Sequence, residues 1–328
     1  MIEFTDAEKK RFQKWAKTFD GQVTLRYATT GHASDEAFNA YADQFVKWVP
    51  DARKKKDGDT VVDRPTIFVD NRIAYQALPS DRELEPFLRC LGNRDAFAEQ
   101  ISGDVREKLQ QLDMPALVKV YITSHCPFCP VTVSTLFGLA AVSGQVRVTV
   151  IDGELFTDAA QNDKVTAAPT VILDDQFRWT GSVDAGELVT MMLDRDPVNL
   201  GAEALKGMIE DGNAEGVADM MHKRGTLFPA FLELLAHPRW SVRLGAMVAF
   251  ETLADEDPAL AGQIVKPLIS RFPDVDDMTK GDLLHVLGES GSETALPFLK
   301  AALKDESDQE VRSAAEEAIE KLTGEQRP

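Results

Sequence analysis

The chain has 328 residues, of which 44% are hydrophobic, and it carries a formal net charge of -18 at pH 7. That apolar fraction is ample for two or three domains with buried cores, and no run of 18 apolar residues predicts a membrane span. The excess of acid argues against nucleic acid as a partner, and the one dense basic cluster, Arg53-Lys54-Lys55-Lys56, is predicted to be a solvated loop. Residues 1–10 are polar without a signal-peptide core, so the expected location is a reducing cytoplasm.

The first predicted elements, between residues 22 and 90, follow a strand, helix, strand order. A strand-like run at 23–27 precedes a helix at 34–48, whose apolar and aromatic side chains recur at helical spacing. Asp63-Arg64-Pro65-Thr66 then leads into a short apolar strand at 67–69. The segment contains no pair of thiols.

The most informative motif, Cys126-Pro127-Phe128-Cys129-Pro130, follows the next strand-like run, at 117–122. In a C-x-x-C at the start of a helix, the first cysteine faces unpaired backbone N–H groups and the positive end of the helix dipole, which stabilise its thiolate. Cys126 is therefore the predicted nucleophile, and Cys129, one turn on, is the predicted resolving cysteine. His125, Pro127 and Phe128 flank the nucleophile as candidate supporting residues. For His125 the alternative is an ordinary solvent-facing histidine.

Two other interpretations of the motif have less support. A structural zinc site needs four ligands, and the only cysteine outside the pair is Cys90. A static structural disulfide at this spacing would constrain little of the chain, and the sequence lacks the cysteine density of secreted scaffolds. Redox chemistry is the favoured interpretation, with no metal and no cofactor.

The sequence after the motif predicts the rest of its fold. A helix at 131–141 and a strand at 146–151 are followed by a helical stretch, and then by Ala167-Ala168-Pro169-Thr170 leading into an apolar strand at 171–173. A cis peptide before Pro169 would place the Ala168 backbone beside the cysteines, where it could bond a substrate chain. The alternative is a trans proline that opens an edge strand.

The two halves share one plan. Each places Pro-Thr before the same kind of strand, and Thr30-Gly31-His32-Ala33-Ser34 stands where the second half has its cysteines. The first unit therefore has the fold without the chemistry, with Pro65 as a second expected cis proline and Cys90 as a buried packing residue. The predicted domains are 1–108, without redox cysteines, 109–196, redox-active, and 197–328.

These features resemble the N-terminal domain of the flavoprotein subunit of alkyl hydroperoxide reductase and the related tandem glutaredoxin-like protein disulfide oxidoreductases. The resemblance covers about residues 1–195, and rests on the two fused units, the C-x-x-C-P, the segment Val150-Ile-Asp-Gly-Glu-Leu-Phe156 and the Pro-Thr turn. It implies tandem thioredoxin-like α/β folds, with Cys126 and Cys129 passing electrons from a flavin-dithiol module to a peroxiredoxin.

The resemblance also implies a role for one residue of the unit without redox cysteines. In that family an acidic residue at the start of the unit's last helix lies near the redox pair, and Arg82-Glu83-Leu84 matches its segment. Glu83 is thus a candidate proton acceptor for Cys129, and the alternative is an exposed first-turn glutamate. No G-x-G-x-x-G fingerprint or flavoprotein module follows residue 195, so we expect an external thioredoxin-reductase-like flavoprotein or glutathione to supply electrons.

From residue 197 the pattern changes to short amphipathic helices. Val242, Met278 and Val311 stand at corresponding places after leucine-rich helices, which resembles HEAT-type repeats. The middle copy lacks the arginine that follows in the other two, and a plain helical bundle is the alternative. With 24 acids and 13 bases, residues 197–328 carry 13 - 24 = -11 of the net charge, which predicts an acidic surface for a protein partner.

The sequence leaves three functions open. The first is a thiol-disulfide oxidoreductase that reduces protein disulfides, with oxidised peroxiredoxins as favoured targets. The second is a glutathione-dependent glutaredoxin, because Cys-Pro-Phe-Cys is close to glutaredoxin motifs. The third is a redox-gated interaction adaptor, in which the repeats bind a protein and the cysteines act as a switch.

Overall fold

The computed structural model describes residues 3–18, 22–58, 60 and 62–324, and the chain forms two compact units, Met1–Asp194 and Arg195–Pro328. The further division of the first unit at residue 108 stays a prediction. The helices described in the first unit are α1 (Asp6–Ala16), α2 (Asp35–Trp48), α3 (Leu84–Gly92), α4 (Asp95–Ala98), α5 (Gly103–Leu109), α6 (Cys129–Val142), α7 (Thr157–Asn162) and α8 (Ala185–Asp194).

One mixed sheet runs through the first unit. Its described strands are β1 (Thr24–Ala28), β2 (Arg53–Lys56), β3 (Thr66–Phe68), β4 (Ile73–Gln76), β5 (Ala116–Ile122), β6 (Val146–Asp152), β7 (Thr170–Leu173) and β8 (Phe177–Thr180). Their order across the sheet is β2-β1-β3-β4-β6-β5-β7-β8. The predicted strands at 23–27, 67–69, 117–122, 146–151 and 171–173 all appear, shifted at their ends by one residue at most.

The strand order confirms the duplication. In the first half β1 pairs in parallel with β2 and antiparallel with β3, which pairs antiparallel with β4. In the second half β5 pairs in the same way with β6 and β7, and β7 with β8. A parallel pairing of β4 with β6 joins the two halves, so both thioredoxin-like units share one sheet.

The basic cluster is a strand, and the prediction of a loop there was wrong. β2 pairs in parallel with β1, and all four of its side chains are exposed. It lies at the edge of the sheet, where lysine side chains discourage pairing with another chain. Lys54 and Asp43 of α2 form an ion pair across this edge.

The second unit is helical. Its described helices are α9 (Ala202–Glu210), α10 (Ala214–Arg224), α11 (Phe231–Leu235), α12 (Trp240–Glu256), α13 (Pro258–Ala261), α14 (Val265–Arg271), α15 (Asp277–Glu289), α16 (Leu296–Asp305) and α17 (Gln309–Thr323), with 3₁₀ turns at Pro197–Asn199, Gly262–Ile264, Phe272–Asp274 and Glu293–Ala295. Successive helices such as α11 and α12, or α16 and α17, contact each other, and α15 contacts both α12 and α17. None of the helices in the described part of the chain is long and apolar enough to cross a membrane.

The repeat register is shifted by one residue in its middle copy. Val242 and Val311 are buried as the third residues of α12 and α17, whereas Met278 is the second residue of α15 and 68% exposed. Thr279, which is 2% exposed, takes the buried place because Asp276 caps the helix one residue later than the Met278 alignment assumed. Lys280 therefore follows in this copy where the other two have arginine.

Candidate redox site

The cysteine motif lies where β5 gives way to α6. The helix begins at Cys129 itself, two residues before the predicted start, because Pro130 in the first turn has no N–H to leave unpaired. Cys126 lies in the preceding turn, where its N–H donates to the carbonyl oxygen of Thr123 at 3.2 Å. Cys126 and Cys129 form a disulfide, with their Cα atoms 5.6 Å apart.

The two sulfurs differ in access and in contacts. Cys126 is 7% exposed and Cys129 is fully buried. The backbone N–H of Cys129 points at the Sγ of Cys126, 3.1 Å away, and hydrogen bonds of this kind stabilise a thiolate when the pair is reduced. The geometry is therefore consistent with Cys126 as the sulfur that reacts with a substrate and Cys129 as the sulfur that resolves it.

A cis peptide bond between Ala168 and Pro169 faces this pair. The carbonyl oxygen of Ala168 lies 3.6 Å from the Sγ of Cys126, and the hydroxyl of Thr170 donates to the carbonyl of Ala167 at 2.7 Å. Pro169 is buried, while Ala168 is half-buried, so part of Ala168 beside the Cys126 sulfur remains accessible.

The corresponding peptide in the first half is not cis. Among the described residues the Ala168–Pro169 bond is the one cis peptide, so the prediction of a second cis bond before Pro65 was wrong. The hydroxyl of Thr66 bonds the carbonyl of Arg64, and the Arg64 guanidinium pairs with Asp63 and with Asp158 of α7. Side-chain contacts therefore hold this segment.

Two exposed apolar side chains lie close to the cysteine pair in the sequence. Phe128 and Val131 are 67% and 69% exposed, although both are large and hydrophobic. His125 and Pro127 are exposed on the same turn. The sequence did not single out Val131, but its place three residues after Phe128, at the start of α6, would have indicated that the two side chains share a face.

Glu83 is buried beside α3. It is 5% exposed, it precedes the first residue of the helix, and neither carboxylate oxygen has a hydrogen-bond partner in the described part of the chain. Burial raises the pKa of the Glu83 carboxyl to about 8. The alternative interpretation, an exposed first-turn glutamate, was wrong, because the apolar residues of α3 turn this end of the helix inward.

Glu83 and Cys129 follow strands that end at the same edge of the sheet. β4 and β5 both run parallel to β6, so the segments leading to α3 and α6 leave the sheet at the same edge. The ring of Tyr75 contacts Phe87 of α3 and Phe137 of α6, with centroids 5.3 and 5.9 Å apart, so the two helices cover the same face. Helices α3 and α6 also contact each other.

Two further contacts join loops of the first unit, and one of them involves Ser124, two residues before Cys126. The Ser124 hydroxyl donates to the carboxylate of Glu154 at 3.0 Å, and the ring of His32 lies 5.4 Å from that of Phe156. The first follows from strand register, because Ile122 pairs with Asp152 and brings the two following turns together. Among the described residues, no group of three or more His, Cys, Asp or Glu side chains is arranged to hold a metal ion.

Comparison with known proteins confirms the thioredoxin-like fold and the helical repeats. Residues 116–194 match a family model described as Thioredoxin domain, and residues 228–320 match one described as HEAT repeats. The solved structure of a protein disulfide oxidoreductase from Aeropyrum pernix is similar over 58% of this chain and 93% of its own, with a TM-score of 0.51 and 12% identity. That likeness concerns the fold.

Two curated relatives are similar in sequence. The F subunit of alkyl hydroperoxide reductase from Pseudomonas putida is 24% identical over 237 residues, which are 68% of this chain and 44% of that protein. A protein named NADH dehydrogenase from Ferdinandcohnia aciditolerans is 20% identical over 190 residues, which are 56% of this chain and 36% of that protein. The chain thus spans less than half the length of these relatives.

Proposed function

We propose that this chain, a thioredoxin domain followed by HEAT repeats, is a thiol-disulfide oxidoreductase that reduces protein disulfides. The observation that carries the proposal is the pair Cys126 and Cys129 at the start of α6, with the more accessible sulfur beside the Ala168 backbone. A reducing compartment such as the cytoplasm would keep the pair available as a dithiol.

The first step uses the thiolate of Cys126. It attacks one sulfur of the substrate disulfide, a mixed disulfide forms, and the other substrate sulfur leaves as a thiolate. The N–H of Cys129 stabilises the attacking thiolate, and the exposed Phe128 and Val131 offer apolar contact to a protein substrate. The Ala168 backbone is placed to bond an extended substrate segment.

The second step uses Cys129. Its thiol loses a proton and attacks the Sγ of Cys126, which releases the second substrate thiolate and leaves the internal disulfide. We propose that the Glu83 carboxylate accepts that proton. Because burial raises its pKa to about 8, about a tenth of the molecules carry the carboxylate at pH 7, and this fraction rises toward pH 8. Once protonated, the carboxyl keeps the proton at neutral pH and can return it to Cys129 when a donor reduces the pair.

We also propose an electron donor and a substrate for this cycle. The resemblance of residues 1–195 to the N-terminal domain of the flavoprotein subunit of alkyl hydroperoxide reductase favours a peroxiredoxin disulfide as substrate and a separate flavoprotein dithiol as donor. Glutathione is the competing donor. Turnover that needs a flavoprotein reductase and does not rise with glutathione supports the first, and the reverse result supports the glutaredoxin alternative.

The cysteine variants test the proposal. Prereduced protein is mixed with a protein disulfide and the substrate thiols are titrated with time. We expect Cys126→Ser to abolish reduction, Cys129→Ser to accumulate a mixed disulfide on Cys126, and Cys90→Ser, the matched control for a buried thiol outside the site, to react like the native chain. Full-rate reduction by Cys126→Ser, or no mixed disulfide from Cys129→Ser, would refute the proposal.

A further inference from the structure

Large hydrophobic side chains are exposed at two places in the described part of the chain. Phe128 and Val131 border the redox site, and the other four lie on two helices of the second unit: Trp240, Leu244, Val248 and Met278. Their exposed fractions are 54%, 40%, 44% and 68%. A repeat helix gains stability by burying such residues. Their exposure therefore indicates a surface that another protein covers.

The four side chains form one surface, here called the apolar stripe. Trp240, Leu244 and Val248 recur every four residues, which places them along one face of α12. Arg243 pairs with Asp282 at 2.6 Å and Glu251 with His285 at 2.9 Å, so α12 and α15 run side by side in the same direction. That register sets Met278, at the start of α15, beside the Trp240 end of the stripe.

Carboxylates lie beyond the other end of the stripe. Glu251 and Asp255 continue the outward face of α12, and Glu289 ends α15. Lys321 of α17 pairs with Glu289 at 3.0 Å, and all three carboxylates raise the pKa of this lysine, which places them around one cation. Three carboxylates and one lysine leave this cluster with an excess of negative charge.

We propose that the apolar stripe and the adjoining acidic cluster bind an amphipathic helix of a partner protein, whose apolar residues at i, i+4 and i+8 meet Trp240, Leu244 and Val248 and whose lysines or arginines meet Glu251, Asp255 and Glu289. The helix-in-groove mode fits the spacing of the stripe, and the charge fits the net -11 of residues 197–328. This inference goes beyond the proposed redox function and does not depend on it.

The occupant is chosen by charge complementarity. A second copy of this chain would bring an equally acidic surface against the cluster, and like charges brought together oppose association. An acidic helix would add negative charge to a cluster that already has an excess of it, and a purely apolar helix would leave that excess uncompensated. A basic amphipathic helix satisfies both parts of the surface at once.

The test uses the full chain and a labelled synthetic peptide. The probe is a helix of about 18 residues, long enough for five turns, with leucines at three positions spaced by four and lysines toward its C-terminal end. Its matched control has glutamate in place of each lysine. In fluorescence anisotropy we expect saturable binding of the lysine peptide that salt weakens. The glutamate peptide should bind with an affinity at least about tenfold lower.

Variants locate the site. Trp240→Ala and Leu244→Glu are each expected to weaken binding of the lysine peptide by about tenfold or more, because buried aromatic and aliphatic anchors dominate such interfaces. Circular dichroism with a thermal melt checks that α12 remains folded. The matched control is Phe128→Ser with Val131→Ser, which removes the exposed apolar residues of the other unit and should leave peptide binding unchanged.

Several results would overturn the inference. They are equal binding of both peptides, no binding at all, binding unaffected by both stripe variants, and self-association that Leu244→Glu abolishes while peptide binding persists. Disulfide reduction by Trp240→Ala should remain at the native rate. Loss of peptide binding with full redox activity therefore separates this surface from the proposed function.

Discussion

Replacing Glu83 by glutamine tests the strongest electrostatic feature of the first unit. The carboxyl is 5% exposed without a hydrogen-bond partner in the described residues, and burial raises its pKa from the usual 4.5 to about 8. A group whose pKa is raised in the folded state binds more protons there than in the unfolded chain. The free energy of unfolding therefore falls as the pH rises from about 4.5 to about 8.

The size of the effect follows from the shift. Each pH unit in that window removes about 1.4 kcal/mol, so the full window removes on the order of 4 to 5 kcal/mol. Glutamine keeps the shape of the protonated carboxyl and does not ionise. We therefore expect Glu83→Gln to match the native chain near pH 4.5 and to become progressively more stable than it toward pH 8.

Urea unfolding of the oxidised protein at several pH values measures this difference. In a Trp240→Phe background, the remaining tryptophans all lie in the first unit, so their fluorescence reports that unit alone. Glu85→Gln, an exposed neighbour on α3, is the matched control and should change neither stability nor its pH slope. Parallel stability curves for Glu83→Gln and the native chain would show that the buried carboxyl ionises normally, and would refute the reasoning.

Two other predictions concern buried side chains. Burial raises the pKa of the Cys90 thiol to about 12, so iodoacetamide at neutral pH should label the reduced pair well before Cys90, roughly a thousandfold faster for equal access; labelling of Cys90 at the rate of Cys126 would contradict this. Arg243, which is 1% exposed, bonds Asp282 and the carbonyls of His237 and Pro238, so Arg243→Ala should lower the free energy of unfolding of the helical unit by about 3 kcal/mol. Urea unfolding followed by circular dichroism measures it, and no change would contradict it.

The elements of the sheet could be predicted from sequence because their patterns are local. Each predicted strand in the duplicated halves is a short apolar run next to a turn or a Pro-Thr pair, and α2 shows its aromatic face at helical spacing. The position of Cys126 and Cys129 at the start of a helix could be predicted from the motif itself, because a proline after the second cysteine suits only the first turn of a helix. The cis bond at Pro169 followed from its context beside that motif.

Other features depend on contacts that a single sequence does not display. The strand β2 consists of exposed lysines and arginine, so it has no apolar pattern and exists through its pairing with β1. The peptide before Pro65 shows that two equal-looking Pro-Thr turns can differ when the residues around them differ. The burial of Glu83 depends on helices packing over it, and charge alone suggested an exposed residue.

The unit without redox cysteines has two separable uses in this arrangement. Its strand β4 pairs with β6 at four positions, which covers an edge that the redox unit would otherwise expose. Its helix α3 also brings Glu83 to the sheet edge at which Cys129 begins α6. Pairing with β6 needs only the backbone of β4, whereas proton transfer needs the carboxyl of Glu83. Glu83→Gln therefore leaves the sheet intact, and a slower resolution step in that variant, with a normal attack by Cys126, would assign the unit a chemical role in addition to its structural one.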